Sequence, residues 1–192
     1  DVRTEGMSYG MMICVQLDKQ KEFDSLYKWA ITYMRHNEAS DPRYGYFSWH
    51  CKTNGDVIDQ NSASDGETYF ATALLFAAAR WGNSSNFDYY KEANDLLATM
   101  LDKEINGPVQ SVTNMFNSEN HQVVFTPYAG AATYTDPSYH LPSFYYVWSK
   151  YAAQNQSFWS ETVGAARTFF HEAANANTGL MPDYAKFTGQ SH

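Results

Sequence analysis

Apolar and polar positions along this chain alternate between two kinds of helical segment. The first, residues 7–17, is apolar on nearly every side, and Asp18-Lys-Gln closes it. The next, residues 21–35, is one-sided. Phe23, Leu26, Tyr27, Ala30, Ile31 and Met34 share a face that Lys21, Glu22, Lys28 and Arg35 avoid. The alternation then repeats. Residues 65–80 are apolar nearly all round, opened by a Ser64/Glu67 capping box and ended by Gly82. Residues 87–104 are amphipathic, with Tyr90, Ala93, Leu97 and Leu101 inward and Asn106-Gly107 as the stop. Residues 141–153 are aromatic on most faces, starting near Leu141 because a helix interior would not accept Pro142. Residues 157–174 close the series, one-sided through Phe158, Val163, Ala166, Phe169 and Phe170.

The connections carry signals of their own. Asp41-Pro42 breaks the second helix, and residues 45–51 alternate weakly toward Asn54-Gly55, a turn that predicts a short hairpin. Residues 107–134 lack a helical period. Met115-Phe116, the polar run 117–120 and Val123-Val-Phe125 predict a second hairpin on a long connection, a length usually tied to function. Residues 136–140 form a shaped turn in which Asp136 reads as a cap before Pro137 rather than as a catalytic group.

A helix that is apolar all round must be covered on all sides. Three such helices are each preceded by an acid, at positions 5, 65 and 136, spaced 60 and 71 residues apart. Each is followed by a one-sided helix. That order predicts an all-α toroid, buried helices inside and one-sided helices outside, with the acidic loops gathered at one end of the inner ring.

Composition narrows the function. The 192 residues are 44% hydrophobic and 18% charged, as in a soluble globular chain, and no apolar run approaches the roughly 20 residues of a membrane span. A net charge of −8, with 13 scattered Lys and Arg, argues against a nucleic-acid partner. Cys14 and Cys51 make no disulfide framework, and Cys14 reads as a small buried hydrophobe. The six histidines show no metal-ligand spacing, so neither a metal nor another cofactor is expected. Aromatic residues reach 17%, which suits a large core and equally suits the apolar faces of sugar rings.

Candidate chemistry begins at Thr4-Glu5-Gly-Met-Ser-Tyr-Gly10. A carboxyl held against apolar surface has its charged form disfavoured, so its pKa rises toward what a general acid needs. Glu5 alone also fits an acid in a first helical turn, favoured by the helix dipole. Two further stretches shift the reading: Asn61-Ser-Ala-Ser64-Asp65-Gly-Glu67-Thr-Tyr-Phe70 and Tyr134-Thr-Asp136-Pro-Ser-Tyr139-His140-Leu-Pro142. Together the three closely resemble glycoside hydrolase family 8, inverting enzymes that hydrolyse β-1,4-linked sugars. Their wording is most similar to the reducing-end xylose-releasing exo-oligoxylanases. The resemblance runs over essentially the whole chain.

The resemblance implies an (α/α)₆ barrel of which these six helices are about half. It makes Glu5 the general acid and places Asp65 beside the −1 sugar, holding the distorted ring through its hydroxyls. Tyr139 would stand near the nucleophilic water, or else be a buried aromatic with a satisfied hydroxyl. Trp49 would be the stacking platform of the −1 sugar, or else a core residue. Where the signature often has a second aspartate this chain has Glu67, taken to serve the capping box. Inverting hydrolysis needs a second carboxyl, as base, roughly 6.5–9.5 Å from the acid. The motif that carries it in this family is missing, and Asp183 matches a different, pre-helix position.

The chain also begins at Asp1, without initiator Met or signal peptide, almost on the Glu5 motif. A closed ring would need on the order of 350 residues. Residues 1–192 are therefore expected to be an internal part of one catalytic domain, inactive when isolated, whose partners are an oligosaccharide and the rest of the same domain. The implied function is release of xylose from the reducing end of xylo-oligosaccharides. Two alternatives are an endo-acting xylanase or glucanase and a non-catalytic carbohydrate-binding piece. Cytoplasmic, periplasmic and secreted bacterial locations all stay open.

Overall fold

Helix formation starts at Thr4, three residues before the apolar run. In the computed structural model of the chain, which describes residues 1–105, 107 and 109–192, strand β1 (Val2–Arg3) leads directly into α1 (Thr4–Gln16). The helix reaches back over Glu5 because the Thr4 N–H is already satisfied, donating to the Trp49 carbonyl at 3.0 Å. The described residues divide into two units, Asp1–Thr99 and Met100–His192.

In the first unit α1 is followed by α2 (Gln20–Tyr33), β2 (His50–Cys51), β3 (Val57–Asp59), α3 (Ser64–Trp81) and all but the last three residues of α4 (Tyr89–Asp102). The expected hairpin is β2–β3, turning at Gly55, whose φ of +94° suits glycine. β1 adds to it as a third antiparallel strand, Val2 opposite Cys51 and Arg3 opposite His50. Helices α1 and α3 pack together and run parallel. Thr4 abuts Gly66 at their N-terminal ends, while Asp18 accepts from Arg80 (3.3 Å) and Trp81 (2.7 Å) at the other.

Burial refines the periodicity. α3 is buried nearly all round, from Ser64 to Ala77, as its composition requires. α2 buries the predicted Phe23, Tyr27 and Ala30, with Met34 just beyond. Tyr27 donates to Glu92 at 2.6 Å, and Arg35 donates to the same carboxylate at 3.1 Å, which ties α2 to α4. The inward face of α4 keeps the expected Ala93 and Leu97 but takes Tyr89 in place of Tyr90, which is exposed, and Met100 in place of Leu101. The helix begins at Tyr89 because Asp88 caps it, accepting from the Lys91 N–H at 3.0 Å. Residues 89, 93, 96, 97 and 100 make up its buried side. The predicted stop falls partly on Asn106, which lies outside the described residues.

In the second unit the expected hairpin is β4 (Phe116–Asn117) with β5 (Gln122–Val123). A 3₁₀ turn, Pro137–Tyr139, precedes α5 (Pro142–Tyr151) and α6 (Gln156–Ala173). Asp136 caps that turn as predicted, accepting from the Ser138 N–H at 2.8 Å and hydroxyl at 2.7 Å. The core is aromatic. Phe116 meets Tyr145, Trp148 and Trp159 edge-on, with centroids 5.5, 6.0 and 5.1 Å away. Each fully buried ring contributes about 1.5–3 kcal/mol of transfer free energy. Trp159, rather than Phe158, is the inward anchor at the start of α6.

Two helices expected to be covered on all sides are not. α1 buries Thr4, Ser8, Met11, Met12 and Val15 but leaves Ile13 58% exposed. α5 buries Tyr145, Trp148 and Ser149 and leaves Tyr146 56% exposed. Within its unit α5 packs on α6, and α1 packs on α2 and α3 with Ile13 left outside. Cys14 is half-buried rather than buried, and Cys51 takes the fully buried position.

Candidate active site

Three of the four residues singled out in the sequence share one end of the first unit. Glu5 and Asp65 stand in the first turns of two parallel, touching helices, and Trp49, immediately before β2, accepts from the N–H of Thr4, next to Glu5. The closeness has a simple cause. Asp65 is followed by Gly66, and a Cβ there would lie 2.5 Å from the Thr4 side chain. Only hydrogen at that position lets the two N-termini meet. Trp49 is held on both sides of its own backbone, its carbonyl accepting from Thr4 and its N–H donating to the Asn61 carbonyl at 2.8 Å.

The local chemistry centres on Tyr9, which lies one helical turn after Glu5. Its hydroxyl donates to Glu5 Oε1 at 3.1 Å, and its ring meets that of Tyr69 edge-on at 4.7 Å. Burial, and then the Glu5 carboxylate beside it, push the Tyr9 phenol up to about 12, with smaller contributions from Tyr69 and Asp65. Tyr9 therefore keeps its proton through the neutral range and remains a donor to Glu5. Sequence reading overlooked Tyr9; the signal was its spacing of four from Glu5 on a helix. The Glu5 side chain itself is exposed rather than set against apolar surface as expected.

Trp49 is half-buried, not a core residue. The Arg3 guanidinium lies over its ring, 5.0 Å from the centroid, and the His50 ring stands 4.8 Å away. Asp1 accepts from His50 at 2.7 Å and lies 3.5 Å from Arg3, which pins this border. Arg3 covers one face of the indole, so a stacked ring would use the other.

The capping box is not formed. The residue preceding α3 is Ala63, with no side-chain cap, and Ser64 is buried as the first residue of the helix. Glu67 is fully buried and turns elsewhere: its Oε1 accepts from the Phe47 N–H at 2.9 Å. Helix packing against the 46–49 segment outweighs the local cap.

Tyr139 belongs to the second unit. It is half-buried and stacks on Phe125 at 5.8 Å, and its carbonyl accepts from the buried Tyr145 hydroxyl at 3.1 Å. Its neighbour His140 is 3% exposed, stacked on Phe169 at 4.2 Å, with Nε2 3.0 Å from the Thr135 hydroxyl. Burial lowers its imidazole to about 3, so the ring stays neutral. Asp183 is exposed.

Comparison with known proteins identifies the family of the chain. Residues 1–191 match the family described as Glycosyl hydrolases family 8. The chain is 43% identical over 192 residues to reducing-end xylose-releasing exo-oligoxylanase Rex8A of Paenibacillus barcinonensis, covering 98% of this chain and 48% of that protein. A crystal structure of a GH8 catalytic-mutant xylanase in complex with xylohexaose, from Teredinibacter turnerae, is similar with a TM-score of 0.90 at 46% identity. That match covers 98% of this chain and 50% of the other. Endoglucanase 2 of Ruminiclostridium josui is 28% identical over 194 residues, 98% of this chain and 37% of that protein. The chain thus spans about half the length of the exo-oligoxylanases it matches. The all-α class and the (α/α)₆ assignment, with about half of that fold in this chain, stand on these structures.

Proposed function

Since this chain belongs to glycosyl hydrolase family 8, we propose that the protein carrying it is an inverting hydrolase of β-1,4-linked xylo-oligosaccharides that releases xylose from the reducing end. The observation behind this reading is the close approach of the α1 and α3 N-termini at Thr4 and Gly66, the neighbours of Glu5 and Asp65, with Trp49 hydrogen-bonded to Thr4. Glu5 protonates the glycosidic oxygen as the C1–O bond breaks. Water adds to C1 from the opposite face and passes its proton to a base carboxylate supplied by chain outside residues 1–192. Asp65 holds the −1 sugar through its hydroxyls, Trp49 stacks on that sugar, and Tyr139 orients the water. Tyr9, permanently a donor at neutral pH, holds Oε1 of Glu5 and leaves Oε2 to face the leaving oxygen.

Exo action draws its support from the exo-oligoxylanases at 36–43% identity. A second reading, endo-acting xylan hydrolysis, is favoured by the xylanase similar to this chain at 46% identity. Digestion of reducing-end-labelled xylohexaose with the full-length protein separates them. Labelled xylose should be the first product. Labelled xylobiose and xylotriose appearing together from the start would overturn exo action.

A further inference from the structure

Among the described residues, four hydrogen bonds hold the backbone of the stretch that presents Trp49, and the Ser48 hydroxyl also lies 3.3 Å from His36 Nε2. The Phe47 N–H donates to Glu67 Oε1 at 2.9 Å, Ser48 N–H to the Met34 carbonyl at 2.8 Å, Trp49 N–H to the Asn61 carbonyl at 2.8 Å, and the Trp49 carbonyl accepts from Thr4 at 3.0 Å. Three of these join backbone to backbone and form with any side chains. The fourth is made by a side chain, from a residue that is fully buried and stands two positions after Asp65 on α3. A carboxyl group is costly to bury, and its place in the first turn of α3 offsets only part of that cost. Its reach of two methylenes spans the gap from α3 to the Phe47 amide, and the Phe47 ring packs on Phe70, one turn further along α3.

From this geometry we infer that Glu67 is a positioning residue for sugar binding: it ties the Trp49 segment to the helix that carries Asp65 and so sets the spacing between stacking platform and Asp65. The inference rests on reading Trp49 as the −1 platform. It assigns Glu67 a role through the backbone of Phe47, without contact to the sugar. Glutamate rather than aspartate is then a matter of length, because a side chain one methylene shorter would leave the Phe47 N–H out of reach or draw the segment inward.

The test uses the full-length protein and xylotriose. Glu67→Gln keeps an oxygen that accepts from Phe47 and should behave within about threefold of the parent. Glu67→Asp and Glu67→Ala should raise KM about tenfold with a much smaller change in kcat, as loss of one buried hydrogen bond implies. Hydrogen exchange at the Phe47 amide should accelerate in the same two variants. A merely stabilising Glu67 would lower the amount of active protein, and with it apparent kcat, without moving KM. If Glu67→Ala does not fold, Glu67→Asp carries the comparison. Trp49→Ala separates the two layers. An unchanged KM in Trp49→Ala overturns the platform reading. A raised KM there, with parental KM and parental Phe47 exchange in Glu67→Asp, overturns the role of Glu67.

Discussion

Gly66→Ala tests whether the meeting of α1 and α3 is what builds the site. In an exposed helix interior this change would gain up to about 1 kcal/mol, because glycine is a poor helix former. At position 66 the new Cβ would stand 2.5 Å from Thr4 Cβ and 2.8 Å from the Thr4 carbonyl carbon. Ordinary carbon contacts lie near 3.5–4.0 Å, so the two N-termini must separate by about 1 Å. Thr4 is itself 1% exposed and has nowhere to retreat. Overpacking of this kind costs about 1–3 kcal/mol. A shift of about 1 Å between Glu5 and Asp65 should lower turnover on the order of 100-fold. Gly164→Ala is the matched control, since it lies within α6 and a Cβ there meets nothing within 4 Å. Urea denaturation and xylotriose turnover of the full-length protein would be compared for both. Gly164→Ala should be slightly stabilised and fully active, and Gly66→Ala destabilised and nearly inactive. A Gly66→Ala protein as stable and active as its parent would refute the idea that this close approach positions the two acids.

Glu5→Gln should abolish hydrolysis of xylotriose while leaving binding intact, and should spare substrates with good leaving groups, which need less protonation; steady-state rates on both classes check this. Anomer-resolved NMR of the first product should show the α-anomer from a β-linked substrate, and a β-anomer first would mean retention. Tyr9→Phe should lower kcat about tenfold by freeing the Glu5 carboxyl, with an effect constant from pH 6 to 9, because the Tyr9 phenol is held at about 12. His140 should make the fold acid-sensitive: burial lowers it from 6.5 to about 3, so below pH 6.5 the unfolded chain binds a proton that the folded one refuses. Stability then falls from pH 6.5 toward 3 by up to about 1.4 kcal/mol per pH unit. Denaturation of His140→Gln at pH 7 and 4.5 should show a smaller drop than the parent, and an equal drop would exclude His140 as its source.

The helices were legible because their signals are local. Apolar spacing marked all six, Pro142 set the start of α5, Gly82 ended α3, and Asn54-Gly55 turned the hairpin. Asp136 could be read as a cap because its partner is two residues away. The candidate acids were legible from short motifs, which are local as well.

What the tertiary structure decided concerns partners distant in sequence or choices between near-equal neighbours. Tyr89 and Tyr90 are chemically identical, and only the packing against α2 selects which one turns inward. Ser64 and Glu67 carry the spacing of a capping box, yet Glu67 accepts from Phe47, twenty residues earlier, because a buried backbone N–H must find an acceptor. No local pattern announces that β1 pairs with a strand almost fifty residues on, or that Gly66 is glycine on account of Thr4. Periodicity determines which elements form, since it acts within a few residues; only the folded arrangement determines which side chains those elements bring within hydrogen-bond reach.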